Sequence, residues 1–269
     1  LRNKSVQKYK LVVSQLKAFC QAINITYVDE FTSDHATLLF NELRKEREIS
    51  RGDRTEFIAP KPKTINFYLT AIRAFFQQEF IAGHIKRNPF LHIKNIKVQK
   101  KKPEYYTVEE LKKFFSQKMP DAYRNAFIAL LFTGMRFSEM ANLTWDDVDL
   151  QRKLIYVRSK DGFLTKTHNA ERAIPMNAII EALLRKLVEE KKSAKYVFST
   201  TTGVQIRERR MLDICKGVAE KAGISSRAYL HKFRSTYATA LILRGVPIQN
   251  IKELLGHWSV VETEVYAHN

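Results

Sequence analysis

Residues 131–139 read Leu-Phe-Thr-Gly-Met-Arg-Phe-Ser-Glu, a stretch that closes one helix and opens another. Thr133-Gly134 ends an apolar run, and glycine is the residue that stops a helix without steric cost. Arg136 begins the next turn, where the free amides of a helix N-terminus favour an anion. Arg136 also suits an ordinary surface pair with Glu139, three residues on. On both sides of this stretch the apolar residues recur at helical spacing. Upstream, Thr107-Val-Glu-Glu110 has capping-box spacing and starts a helix over 108–117, followed by one over 121–132. Downstream, helices are predicted over 137–142, 177–190, 207–222, 231–244, 247–255 and roughly 259–267. Strand-like segments stand at Leu154–Val157 and Ala173–Pro175, with another short apolar stretch at Tyr196–Ser199. The expected fold is mainly α with a small antiparallel β-sheet, an α+β class.

The chain before residue 104 is different in character. Val6, Tyr9, Val12, Val13, Leu16, Phe19, Cys20 and Ile23 form one helical stripe. Asp34 reads as the N-cap of a second helix near 35–47. Residues 50–63, charged and carrying Gly52, Pro60 and Pro62, read as a loop. A third helix follows, with Ile65, Leu69, Ile72, Phe76 and Phe80 at three- and four-residue spacing. Residues 94–103 then hold five lysines and no acid, and end in Pro103. This gives an expected division into a helical domain at 1–93, a basic linker at 94–103 and a second domain at 104–269.

At 269 residues the chain exceeds the ~100–150 typical of one domain. Its net charge of +18 suits a polyanionic partner, nucleic acid or an anionic membrane surface. Residues 1–103 carry 20 basic and 9 acidic side chains, a net of +11, so the smaller domain is the more basic per residue. A lysine-rich linker lying along a phosphate backbone fits that balance. No apolar run reaches the ~18–20 residues of a membrane span, and no secretory leader precedes the first polar segment. Two cysteines, Cys20 and Cys215, cannot make a disulfide framework and point to a reducing compartment. The chain begins at Leu1 instead of Met, as expected of a fragment.

Three further clusters stand beyond 131–139. His231-Lys-Phe-Arg234 places a histidine and a guanidinium three apart on one helix face, a pair suited to proton transfer and phosphate clamping. A capping histidine with a solvated arginine is the plainer reading. Leu254-Leu-Gly-His257 ends another apolar helix, and Tyr266 follows nine residues after His257. Taken alone, Tyr266 is an aromatic core residue. No histidine or cysteine spacing suits a metal, and there is neither a Walker loop nor a G-x-G-x-x-G. Neither a metal nor a nucleotide cofactor is expected.

In order, Arg136, a hairpin lysine, His231-x-x-Arg234, Leu-Gly-His257 and Tyr266 resemble the signature of the tyrosine recombinases, the phage-type integrases and Xer-like enzymes. The blocks T-G-M-R-x-S-E, H-x-x-R-S-T-Y-A-T and L-G-H with Tyr266 carry the resemblance, which spans essentially the whole chain. It implies a core-binding, SAM-like DNA-binding domain at 1–93 and a catalytic domain at 104–269. The implied function is site-specific recombination of duplex DNA through a 3′-phosphotyrosyl intermediate, with strand exchange via a Holliday junction in a homotetramer. Tyr266 would be the nucleophile, Arg136 and Arg234 the phosphate ligands, His231 the base and His257 a phosphate ligand. Two lysines compete to protonate the leaving oxygen. Counting back from Pro175 favours Lys166, at the tip of a long hairpin; counting forward from Arg136 favours Lys160. Lys166 is preferred. Lys63, Arg73, Lys97, Lys100, Lys101 and Lys102 are the expected DNA contacts. A cytoplasmic, nucleoid-associated location follows, with no membrane partner. A type IB topoisomerase-like relaxing enzyme and a DNA-binding regulator with a decayed site are the alternatives; the compact helical N-terminal domain and six filled positions weigh against them.

Overall fold

A computed structural model describes residues 3–51, 54–99, 102–165, 171–256, 259 and 261–266. The chain divides into two compact units, Leu1–Lys100 and Lys101–Asn269, a division that falls inside the lysine-rich stretch. Both are mainly helical, and among the described residues each carries one small antiparallel sheet.

In the first unit, α1 (Asn3–Ala22), α2 (Ser33–Arg44) and α3 (Pro62–Ile81) enclose a core of Val12, Leu39, Leu69, Ile72 and Phe76. Phe31 stacks there on Phe90 at 5.7 Å between ring centroids. The apolar stripe of α1 is only partly covered: Val12 is buried, whereas Tyr9 and Val13 are exposed along a groove that also touches Phe75 of α3. The N-cap of α2 is Thr32, whose hydroxyl accepts from the His35 amide, and not Asp34, which lies inside the first turn. Residues 50–63 do not run as a loop. β1 (Arg47–Arg51) and β2 (Arg54–Ile58) form an antiparallel hairpin with Arg47 opposite Ile58 and Arg51 opposite Arg54. Charged residues interrupt the apolar alternation in both strands and hide them from a pattern based on burial; the register spans the pair Gly52-Asp53, a sequence suited to a two-residue connection. The proline at position 62 starts α3, a place where a missing N–H costs nothing. Asn66 exchanges two 2.8 Å hydrogen bonds with the backbone of Ile96, and Arg73 donates to the Ile93 carbonyl at 2.7 Å. These bonds lay the stretch up to Ile96 along α3.

In the second unit, α4 (Val108–Ser116) begins with the expected capping box: Thr107 Oγ1 accepts from the Glu110 amide, and Glu110 accepts from that of Thr107. α5 (Asp121–Thr133) packs on α7 (Ala178–Glu190) and α9 (His231–Leu243), with α6 (Phe137–Ala141) following α5. Phe114, Phe127 and Phe233 form the centre of the core, with ring centroids 5.2–5.4 Å apart. The sheet runs β3-β4-β5 and is antiparallel, with β3 at Val148–Asp149, β4 at Leu154–Val157 and β5 at Arg172–Pro175. Ile155 pairs with Ile174, and Val157 with Arg172. β3 is an addition to the two expected strands, too short at two residues to show a period. α8 (Glu208–Lys221) contributes Met211 and Cys215 to the core. α10 (Ile248–Leu255) stops at Gly256, and α11 occupies Val261–Glu264, shorter than the predicted 259–267.

Candidate active site

The site is built where α5 ends. Gly134 adopts φ +64°, and a Cβ there would meet the Tyr237 ring at 2.4 Å. Only glycine allows this left-handed turn and this approach of α5 to α9. The turn aims the Gly134 carbonyl at Arg234, whose Nη1 donates to it at 2.7 Å. Arg136 follows as the N-cap of α6 and donates from Nη1 to Glu139 at 2.7 Å. The (i, i+3) pair suggested by the sequence is therefore present, and Glu139 is the hub of a larger cluster. Arg172 donates to Glu139 Oε2 at 2.9 Å, and Arg234 Nη1 lies 4.0 Å from the same oxygen.

Glu139 is 3% exposed and Arg234 1%. Burial pushes the Glu139 carboxyl up, but Arg172, Arg136 and Arg234 outweigh it and hold the group at about 2. For Arg234, burial and then Arg136 lower the guanidinium to about 9, with Glu139 opposing, so it stays protonated at neutral pH. Arg234 Nε is buried and has no hydrogen-bond partner among the described residues. A buried guanidinium with one N–H unanswered keeps a charged donor in reserve for a partner that enters the site. Tyr266 is 6% exposed, packs on Ala238, Ile251 and Leu255, and lies within electrostatic reach of Arg234.

His231 stands at the first position of α9 and is exposed, at the opposite extreme of burial from Arg234 on the same helix. The next residue fastens α9 from below: Lys232, wholly buried, donates to Ser226 Oγ at 2.6 Å and sits 4.0 Å over the Tyr106 ring. Lys160 follows β4. Its ammonium pairs with the Asp147 carboxylate and donates to Thr144 Oγ1 at 3.1 Å. It lines a small crevice together with Glu139, Asp147, Arg158 and Phe163. Lys166 and His257 lie outside the described residues, as do Lys100 and Lys101. Lys63, Lys97 and Lys102 are exposed. Arg73 is half-buried and spends a donor on the Ile93 carbonyl. Sequence reasoning did not single out Arg172 or Asp147 as site residues. A signal for Arg172 exists: two residues before buried Ile174, it occupies an inward register position of β5.

The second unit has the α+β class that the resemblance to the tyrosine recombinases implies, and it holds Arg136, Arg172 and Arg234 about the buried Glu139 carboxylate. Residues 105–269 match the phage integrase family. Tyrosine recombinase XerC of Oceanobacillus iheyensis is 26% identical over 98% of this chain and 85% of its own length. Tyrosine recombinase XerA of Thermococcus kodakarensis is 32% identical over 76% of this chain and 70% of its own length. Among solved structures, the Tn1549 transposon integrase in complex with a circular intermediate DNA superposes with a TM-score of 0.78 at 19% identity, over 99% of this chain and 89% of that one. A lambda integrase dimer bound to a COC′ core site gives 0.74 at 17%, over 99% and 89%. The chain belongs to the phage integrase family and is a site-specific recombinase. Among the described residues no helix is long and apolar enough to cross a membrane.

Proposed function

We propose that the second unit cuts and rejoins duplex DNA at a specific site with Tyr266 as nucleophile, through a 3′-phosphotyrosyl intermediate. The observation that carries this reading is Arg234: a buried guanidinium with an unanswered Nε–H, neighbouring Arg136, within electrostatic reach of the Tyr266 phenol. Phosphodiester attack gathers charge on two non-bridging oxygens, which two guanidinium forks neutralise. The phenol oxygen forms a bond to phosphorus, the bond to the 5′ oxygen breaks, and the phenol proton passes to His231. The 5′ oxygen takes a proton from a lysine. The phosphotyrosine keeps the energy of the phosphodiester, so rejoining needs no nucleotide. His257 would bind the phosphate.

One observation speaks for Lys160 as that lysine: it lines a crevice with Glu139, the residue that carries Arg136 and Arg172, while Lys166 lies outside the described residues. The Asp147 pair would hold its ammonium ready beside the cluster until the 5′ oxygen competes for it. In the first unit, residues 1–93 would act as the core-binding domain and 94–103 as a basic linker along the backbone. Strand exchange would run through a Holliday junction in a homotetramer, in the cytoplasm at the nucleoid.

A nicked suicide substrate tests the reading. Tyr266→Phe should bind the DNA and form no SDS-resistant adduct, because the phenyl ring has no attacking oxygen; an adduct in that variant would remove Tyr266 from the role. In the same assay a 5′-phosphorothiolate, whose sulfur leaves without a proton, should rescue the variant of the true acid. Rescue of Lys160→Ala supports Lys160, and rescue of Lys166→Ala returns the role to Lys166. On ordinary DNA the lost acid should cost ~10²–10⁴-fold in rate.

A further inference from the structure

Three arginines from three elements converge on the end of one helix. Arg172 Nε donates to the Leu254 carbonyl at 2.6 Å, Arg234 Nη2 to that of Leu255 at 2.6 Å, and Arg136 Nη2 to that of Gly256 at 3.4 Å. These are successive carbonyls at the C-terminus of α10, which lack helical partners and carry the negative end of its dipole. The same guanidiniums surround Glu139. Arg172 differs from the other two in its element: it stands on β5, whereas Arg136 caps α6 and Arg234 lies within α9. Its side chain is 6% exposed, between 19% for Arg136 and 1% for Arg234. It joins β5 at once to Leu254 through Nε and to Glu139 through Nη2. A planar fork holds two such acceptors in fixed relation, which a single ammonium cannot.

We propose that Arg172 is a positioning residue for strand cleavage. By tying the end of α10 to Glu139 it fixes the helix end from which the chain leads on to Tyr266, so that the nucleophile meets the phosphate held by Arg136 and Arg234. The proposal rests on the roles given to those residues above. Arg172 adds no third fork to the phosphate: it sets the distance between the nucleophile's segment and the two forks that bind it. An error of ~1 Å in such a distance costs on the order of 10²-fold in rate.

The test uses the full chain with Arg172→Met and Arg172→Lys, the second keeping a cation beside Glu139. Three readouts are taken: affinity for recombination-site DNA, single-turnover cleavage of a nicked suicide substrate, and hydrogen exchange along the chain. Both variants should bind DNA within about 2-fold of the parent and cleave about 10²-fold more slowly. Amide exchange should quicken from Leu254 to Tyr266 and stay unchanged in α5. A fourth readout replaces one charged non-bridging oxygen of the scissile phosphate by methyl. Arg234→Ala should recover part of its rate on this neutral substrate, whereas neither Arg172 variant should. Should Arg172→Met fail to fold, Arg172→Lys carries all four measurements. Parental cleavage by Arg172→Lys overturns the proposal. So does recovery of an Arg172 variant on the methylphosphonate, which would make Arg172 a phosphate ligand, and so does exchange quickened evenly over the unit, which would make its role one of general stability. Failure of the parent reading shows separately, as an adduct formed by Tyr266→Phe or no recovery of Arg234→Ala, and leaves the exchange result standing.

Discussion

A carboxyl group with 3% of its surface exposed, as in Glu139, would be driven towards its neutral form if nothing charged faced it. Here burial does raise it, and Arg172, Arg136 and Arg234 together bring it down to about 2. A folded value below the ordinary ~4.3 of a glutamate means that the charged cluster stabilises the fold above that ordinary value. This contribution is lost as pH falls through about 2. Glu139→Gln should therefore flatten the acid limb of the stability profile between those two values. At neutral pH it should cost ~3–5 kcal/mol, since it leaves buried guanidiniums facing a neutral amide. Denaturant unfolding at pH 7 and pH 3 checks both points, and a variant as stable as the parent at pH 7 would contradict the hub. The sequence discloses half of this cluster. Arg136 and Glu139 are three apart and meet on one turn, so their pairing is legible. Arg172 meets Glu139 from 33 residues away, on β5, and no local spacing encodes that meeting.

The elements that bring these residues together depend on sharp turns more than on helix propensity. At Gly134 the left-handed turn lets α5 end against Tyr237 and sends its carbonyl to Arg234. Gly134→Ala adds backbone strain of ~1–2 kcal/mol and drives a Cβ into the Tyr237 ring, an overpacking of ~1–3 kcal/mol more. Gly223, in the same unit, has φ +65° and nothing within 4 Å of a built Cβ, so Gly223→Ala should show the strain alone. The difference between the two variants in denaturant unfolding measures the contact, and cleavage should fall only with Gly134→Ala. Equal losses would mean that the approach to Tyr237 carries no energy. Turn chemistry of this kind was readable, as was the capping box at Thr107, because both write themselves into adjacent residues. The hairpin of β1 and β2 was not. Arg47, Glu48, Arg51 and Arg54 break its apolar alternation, so the sequence carries no period-2 mark there, and Phe57 is 68% exposed.

At the scale of the whole molecule the charge of +18 suits a polyanion, but does not say which cations would touch it. The bonds within the first unit sort them. Lys63 and Lys97 are exposed, whereas Arg73 is half-buried and holds the Ile93 carbonyl at 2.7 Å, fastening to α3 the stretch that leads into the lysine run. Each phosphate contact releases counterions, so log K for DNA falls with log salt at a slope of about −0.9 per contact. If Lys63 and Lys97 each meet a phosphate, Lys63→Gln and Lys97→Gln should each make the slope shallower by ~0.9 and weaken binding alike on specific and unrelated duplexes. Arg73→Gln should leave the slope unchanged. It should instead lower the stability of the first unit by ~1.5–3 kcal/mol, the range for a hydrogen bond made by a charged group. Binding titrations between 50 and 200 mM salt, paired with denaturant unfolding, separate the two classes. A slope that moves for Arg73→Gln and not for Lys97→Gln would place the DNA against the middle of α3 and take Lys97 off the backbone.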